Sequence, residues 1–287
     1  MPPKISIVTP SFNQAKYLGK TIESVLSQGY PNLEYLIMDG GSTDGSADII
    51  KASESKLAYW QSKRDNGMYD AIQQGFEKTT GEIMAWINSD DVYFKDTFSI
   101  VAEIFSTFPE VEWVTGAYCN IDETGRLIRA DRPLKWSKYH YRLLDTSLIQ
   151  QEAVFWRRSL WEKAGGHLNT NLALAGDFEL WLRFFNHTKL YSVNTPLGAF
   201  RFRLTDQKSY NQRKEYLAEV SEVLKNNPPT EQENQVLKKI HFYRRLLKMP
   251  FIEDNKHIKW RCEQLFDYPP YIKFNRHKMV FNFNNYL

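Results

Sequence analysis

Between Ile5 and Asp91, apolar runs of strand length alternate with amphipathic stretches of helix length, and no long linker interrupts them. No other feature constrains the fold as strongly. Residues 5–9 read as a buried strand, followed by Leu18, Ile22, Val25 and Leu26 on one helical face. Residues 33–38 form a second strand, closed by the turn Asp39-Gly40-Gly41-Ser42-Thr43-Asp44-Gly45. A helix through Ile49 and Ile50, a short strand at 58–60, a helix over 68–76 and a third long strand at 82–87 complete the series. Such alternation predicts an α/β fold built on a mostly parallel sheet with helices on both faces. Ligands of these sheets bind beyond the carboxyl ends of the strands. Asp39 and the pair Asp90-Asp91 stand at two of those ends.

Beyond residue 110 the pattern shifts to shorter strands at 113–119 and 150–156, a short helix at 159–164, and a helix opened by Asp177 with Leu180, Trp181 and Phe184 on its inner face. Two further helices are expected at 208–225 and 231–248, separated by Asn226-Asn227-Pro228-Pro229. We divide the chain into a catalytic domain at 1–205, with a first half to about 110, and a helical basic and aromatic appendage at 206–287. Two cysteines, Cys119 and Cys262, cannot build a disulfide framework or a thiolate metal site, so a cytosolic setting is expected. The N-terminus lacks a signal-peptide pattern, and no apolar run is long enough to span a bilayer. Eight Trp, 16 Tyr and 18 Phe exceed ordinary core needs, so some rings are candidates for a sugar groove or a membrane surface, although core packing is the usual fate of any one ring.

Three segments carry candidate chemistry. In Asn88-Ser89-Asp90-Asp91, two adjacent carboxylates repel unless a cation or hydrogen-bond donors compensate, and hard oxygens of this kind suit Mg²⁺ or Mn²⁺. Taken alone, the pair reads more readily as Asp91 capping the next segment. In the turn after the second strand, Ser42-Thr43-Asp44 read as a helix cap; Asp39 has no such reason to be there and is placed to accept a nucleobase N–H or a ribose hydroxyl. In Ala175-Gly176-Asp177-Phe178, Asp177 lies at a helix N-terminus, where the dipole favours its ionised form, and an ionised carboxylate facing a hydroxyl is a general base. A dinucleotide fingerprint is absent after the first strand, where Thr9-Pro10-Ser11-Phe12-Asn13 stands instead.

In order and wording these segments resemble the family 2 glycosyltransferases, inverting enzymes with the nucleotide-sugar fold called GT-A. The resemblance runs from about residue 5 to about residue 209. It rests on Val8-Thr9-Pro10-Ser11-Phe12-Asn13, on Met38-Asp39-Gly40-Gly41-Ser42-Thr43-Asp44, on Asp65-Asn66-Gly67-Met68-Tyr69-Asp70-Ala71, on Thr80-Gly81-Glu82 leading to Asn88-Ser89-Asp90-Asp91, and on Phe155-Trp156-Arg157-Arg158 through Gly165-Gly166 to Asp177. It implies that residues 1–110 hold a nucleotide-sugar and residues 111–205 the acceptor. Thr9, Ser11 and Phe12 would border the base, Asp39 would bind it, and Asp65 and Gly67 would lie along the nucleoside. Asp90 would contact the ribose or donor sugar, Asp91 the metal (Mn²⁺ or Mg²⁺) on the diphosphate, and Asp177 would be the catalytic base. The chain departs from the family pattern at Asn88, which removes a charged metal ligand, at Gln73, where relatives have Asn, and at Arg203, where relatives often have His. Arg cannot ligate a cation but grips phosphate directly.

The function so implied is inverting transfer from a nucleotide-diphosphate sugar, UDP-sugar by family habit, to a glycan or lipid-linked saccharide hydroxyl in bacterial surface polysaccharide synthesis. A sugar-phosphate nucleotidyltransferase would need a Gly-rich basic loop after the first strand, which is missing; a non-catalytic nucleotide- or glycan-binding module would not need metal and base candidates as well. Charge separates along the chain: residues 238–287 hold eleven Lys/Arg against four Asp/Glu, a local +7 in a chain of net +3. We expect this tail to meet an anionic membrane surface rather than nucleic acid, through Ile240, Tyr243, Leu246 and Leu247 flanked by basic residues, which makes the protein cytoplasmic and peripheral on the inner leaflet. A solvated helical face is the plain alternative.

Overall fold

The computed structural model describes residues 2–144, 149–203 and 211–286. Its centre is a seven-stranded sheet ordered β10-β6-β9-β4-β1-β2-β3. Parallel pairs join β1 (Ile5–Ser11) to β2 (Leu33–Asp39) and to β4 (Ile83–Trp86), and β2 to β3 (Tyr59–Ser62). The intervening helices α1 (Ala15–Leu26), α2 (Ser46–Lys51) and α3 (Met68–Phe76) are those that the apolar spacing predicts. Because β1 is buried on both faces, its sequence reads as a continuous apolar run.

The second half departs from the expected pattern. Residues 113–119 are not one strand: β6 (Trp113–Thr115) joins the main sheet, while β7 (Cys119–Ile121) joins a second sheet ordered β5-β11-β7-β8. The break falls at Gly116, where a Cβ would sit 2.9 Å from Leu197. The expected strand at 150–156 begins instead with a 3₁₀ turn at Gln151–Ala153, and only β9 (Val154–Arg157) pairs, antiparallel to both β4 and β6. β10 (Tyr191–Ser192) then lies parallel to β6. In the second sheet, β5 (Val92–Tyr93) and β7 flank β11 (Gly198–Arg201), and β8 (Leu127–Ala130) is the exposed edge. Helices α4 (Thr97–Thr107), α5 (Lys138–Leu143), α6 (Arg158–Lys163) and α7 (Gly176–Phe185) complete this part.

Trp86, Trp113, Trp156 and Trp181 are at most 1% exposed and pack ring to ring at 5.5–5.6 Å between the sheet and α7. These rings are core, not groove; truncating any one to Ala would cost roughly 3–5 kcal/mol.

The C-terminal part is neither purely helical nor an appendage, and the expected boundary at 205 falls outside the described residues, as does the start of the helix expected from 208. The described helix α8 (Arg213–Asn226) sends Val220 and Val223 into the main core. Helix α9 (Glu231–Leu246) opens with a capping box between Thr230 and Glu233, and α10 (Lys256–Gln264) packs beside it. A hairpin of β12 (Tyr271–Asn275) and β13 (Val280–Asn284) follows, and it buries Ile272 and Phe281 in the main core. The face expected to meet a membrane is largely used inside the protein. Ile240 is fully buried, and Tyr243 and Leu247 pack beside it against Tyr139, Cys262 and Phe266. Among the described residues no helix is long and apolar enough to cross a membrane.

Candidate active site

The turns after β1 and β2 and the Asn88–Asp91 loop after β4 all lie at the carboxyl edge of the parallel strands. The turn after β1 and the turn after β2 are laced together: Asn13 N donates to Ser42 Oγ at 2.8 Å, and Thr43 N donates to Asn13 Oδ1 at 2.9 Å. Gly45, not the expected Ser42–Asp44, is the N-cap of α2, while Asp44 accepts from Ser46 N and also from Ala15 N at the start of α1. Asp39 is 1% exposed, and its Oδ2 accepts from Gly41 N, Ser42 N and Ser62 Oγ. Among the described residues its Oδ1 takes only Ser42 Oγ at 2.5 Å, which leaves one lone pair for a ligand. Asp39 therefore also organises its own turn, a structural reason for its presence that the local sequence did not reveal.

Ser11 lies beside Asp39 in the β1–β2 register, with its Oγ buried and without a partner among the described residues. Phe12, directly after β1, is 60% exposed. Thr9 is fully buried, and its hydroxyl shares a 3.0 Å hydrogen bond with Tyr35. Asp65 sits against the Asp39 turn so closely that a Cβ on Gly40 would lie 2.8 Å from its carboxylate. Burial, with repulsion from Asp70 and Asp39, raises the Asp65 pKa, while the amide of Gly67 (φ 114°, at the start of α3) donates to its Oδ1.

The 88–91 loop is pinned by Arg201, which neither motif nor spacing singled out. Its backbone N–H donates to Asp91 Oδ1 at 2.8 Å, its Nε to the Asp90 carbonyl at 2.6 Å, and its Nη1 to the carbonyls of Asp122 and Glu123. Asp90 and Arg203, expected to bind sugar and phosphate separately, form an ion pair at 3.1 Å. Arg203 has five N–H donors, so it can meet a phosphate while keeping this contact. Asp91 is fully buried, and burial, reinforced by repulsion from Asp90 and Glu152, holds its pKa well above the carboxylate range.

Among the described residues no three His, Cys, Asp or Glu side chains converge as a metal cage. The donor set still fits a hard cation. Asn88 Oδ1 is buried without a partner among the described residues, and Asp91 Oδ2 receives only a 3.4 Å contact from the Asn88 amide. Two hard oxygens side by side, with diphosphate oxygens and water completing the shell, match the habit of Mg²⁺ and Mn²⁺.

Asp177, in the first turn of α7, is tied to the nucleotide half by Tyr69 of α3. The phenol donates to the Leu174 carbonyl at 2.8 Å and lies 3.3 Å from Asp177 Oδ1. Gly176 is needed there, since a Cβ would meet the Tyr69 ring at 2.8 Å. Gln73 Nε2 donates to Glu77 Oε1 at 3.0 Å, and its Oε1 accepts the Leu168 amide and so ties α3 to the segment before α7. From α8, Glu219 accepts from the amides of Ala173, Leu174 and Ala175, fixing the approach to Asp177. The helix terminus does not win at Asp177. Burial outweighs the hydrogen bonds from Phe178 N and Tyr69 and pushes the carboxyl up to about 6. Glu152, read from sequence only as part of a buried strand, stands with these groups; burial lifts its carboxyl to about 8, with Asp90 and Asp177 as charged neighbours.

The sequence profile described as glycosyl transferase family 2 matches residues 6–160, more than half of the chain. The chain belongs to glycosyltransferase family 2. An uncharacterized glycosyltransferase of Mycobacterium tuberculosis is 31% identical to this transferase over 183 residues, covering 63% of this chain and 68% of its own. An uncharacterized glycosyltransferase of Rickettsia prowazekii is 26% identical over 226 residues, covering 75% and 69%. In fold, the transferase is similar to S. aureus TarS 1–349 in complex with UDP-GlcNAc, with a TM-score of 0.64 at 17% identity over 82% of this chain and 70% of TarS. It is also similar to the mannosyltransferase PcManGT of Pyrobaculum calidifontis in complex with GDP-Man and Mn²⁺, with a TM-score of 0.54 at 18% identity over 75% and 61%. The expected GT-A fold is thus the observed one.

Proposed function

We propose that this transferase is an inverting enzyme that moves a sugar from a nucleoside-diphosphate sugar, UDP-linked in first place, to a hydroxyl of a glycan or lipid-linked saccharide in bacterial surface polysaccharide synthesis. The observation that carries the reading is a half-buried carboxyl, Asp177, which burial pushes up to about 6 and which Tyr69 of α3 meets at 3.3 Å. A base with that pKa is ionised at neutral pH yet still basic enough to accept a proton in the transition state. Complexes of TarS with UDP-GlcNAc and of PcManGT with GDP-Man and Mn²⁺ support a nucleotide-sugar donor.

Asp177 takes the proton of the acceptor hydroxyl as its oxygen bonds to the anomeric carbon. The bond from that carbon to the diphosphate oxygen breaks on the opposite face, which inverts the configuration. Arg203 donates to the departing phosphate and offsets its growing charge. Asp39, Ser11 and Phe12 hold the base, and Asp65 with the Gly67 amide lies along the nucleoside. Asp91 and Asn88 would hold Mn²⁺ or Mg²⁺, which supplies positive charge to the diphosphate when bound.

A thermal-shift series with UDP, GDP and their hexose conjugates, with and without Mn²⁺, tests the reading. A nucleotide at about 100 times its Kd adds about 2.7 kcal/mol of stability. One nucleoside diphosphate should raise Tm, more so with Mn²⁺, and its sugar conjugate should be consumed when a saccharide acceptor is added. If none shifts Tm at millimolar concentration, the proposal fails.

A lipid-linked acceptor calls for contact with the membrane surface, and the residues for it are not those the periodicity suggested. Phe242, Met249, Phe251 and Trp260 are 51–102% exposed, amid Lys238, Lys239, Arg245, Lys248 and Lys256. Rings projecting from a basic surface suit an anionic leaflet. Deleting the tail would strip Ile272 and Phe281 from the core, so point changes are the sound test. The triple change Phe242→Ser, Phe251→Ser, Trp260→Ser should lower sedimentation with phosphatidylglycerol vesicles by roughly tenfold or more while leaving Tm unaltered. Equal sedimentation of wild type and triple variant would exclude this surface.

A further inference from the structure

We infer that Glu152 lines the subsite of the transferred sugar and hydrogen-bonds one of its hydroxyls, a specificity-determining role that rests on the transferase reading above. The backbone around Glu152 is fixed on three sides. Gln151 Nε2 donates to the Trp86 carbonyl at the end of β4 at 2.6 Å, and the turn then enters β9. The Glu152 carbonyl lies against Gly198 of β11, where a Cβ would come within 2.2 Å of it. The side chain is therefore held in place by packing rather than left to drift.

Its carboxyl is 3% exposed, and Oε1 has no hydrogen-bond partner among the described residues. A buried carboxyl oxygen without a partner is costly, and proteins retain few of them without a reason. A purely structural Glu at this position would be expected to engage a donor, as Glu219 and Glu233 do elsewhere in this chain. Glu152 takes a hydrogen bond only from its own backbone N–H among the described residues, and its charged neighbours are acids: Asp90 in the Asn88–Asp91 loop and Asp177 at the start of α7.

That pairing locates it along the reaction path. In a single displacement the anomeric carbon lies between the departing phosphate oxygen and the attacking hydroxyl. The first is placed at the Asn88–Asp91 loop and the second at Asp177, and the group that faces both lies under the sugar between them. A pyranose hydroxyl is both donor and acceptor, so it satisfies Glu152 Oε1 whichever way the proton points.

The test compares a nucleoside diphosphate with its hexose conjugate, each with Mn²⁺, on wild type, Glu152→Gln and Glu152→Ala. UDP with UDP-hexoses and GDP with GDP-hexoses are the probes, and the ratio of the two affinities isolates what the sugar contributes. Glu152→Ala should leave diphosphate affinity within about twofold and cut the sugar's contribution by roughly tenfold or more, with Glu152→Gln losing less because it keeps an oxygen in place. Equal weakening of diphosphate and conjugate would overturn the assignment in favour of a structural or metal-holding role, and so would an unchanged ratio in both variants. If wild type binds no nucleoside diphosphate, the transferase reading itself falls and the assignment with it; binding without a Glu152 effect sinks only the assignment. Glu152→Gln, nearly isosteric, keeps the comparison usable should the Ala variant misfold.

Discussion

Replacing Asp177 by asparagine should lower turnover by roughly 10²–10⁴-fold, the usual worth of a positioned general base, while nucleotide affinity stays within a fewfold of wild type. Asn keeps the shape and can still accept from the Phe178 amide, so the loss isolates proton transfer from architecture. The pH dependence gives a second readout. Because the carboxyl titrates at about 6, wild-type kcat/KM should fall tenfold per pH unit below that value, and the residual rate of Asp177→Asn should lack this limb. Stability should move the other way. A carboxyl whose pKa is raised by folding contributes stability that is full below its unfolded value near 3.8 and is lost as pH rises through about 6. At pH 8 the unliganded Asp177→Asn protein should therefore be more stable than wild type by roughly 1–2 kcal/mol, after allowance for partial solvent access. Near wild-type turnover in a folded Asp177→Asn protein would remove it as the base.

Asp91→Asn should produce the second large effect. It retains an oxygen for the Arg201 amide but loses the charge that would hold a cation on the diphosphate. Turnover should fall by roughly 10²–10³-fold, and the extra Tm rise from Mn²⁺ in the presence of nucleotide should vanish. Without ligands the variant should melt higher than wild type, since Asp91 is fully buried against the charges of Asp90 and Glu152. Asp91→Ala should not share that gain, because it strands the buried Arg201 N–H at a cost of roughly 1–3 kcal/mol. Activity and stability shifting in opposite directions is the mark of charges kept for function. Unchanged turnover and an intact Mn²⁺ response in Asp91→Asn would exclude it from the metal site.

Much of the nucleotide half was legible because its information is local. Apolar spacing placed α3 at Met68–Phe76, and strand–helix alternation put Asp39 and the Asn88–Asp91 loop on one edge of a parallel sheet. Residues whose importance comes from distant neighbours were not legible. Arg201 matters because β11 lays it behind the Asp90-Asp91 loop, and Glu219 because α8 reaches back to the amides before Asp177. The burial of the Thr9 hydroxyl was not legible either, because its partner, Tyr35, stands on the next strand.

The sequence by itself determined the layered α/β architecture and the order in which acidic motifs reach the cleft, since both follow from side-chain periods of two and 3.6 along neighbouring residues. Only the tertiary structure decided which apolar helix face was already covered, as Ile240 shows, and which carboxyls burial would raise, as Asp177 and Glu152 show. Periodicity marks a face as apolar without saying what covers it. A carboxyl's proton affinity depends on the water it has lost and the charges packed beside it, and residues far apart along the chain set both.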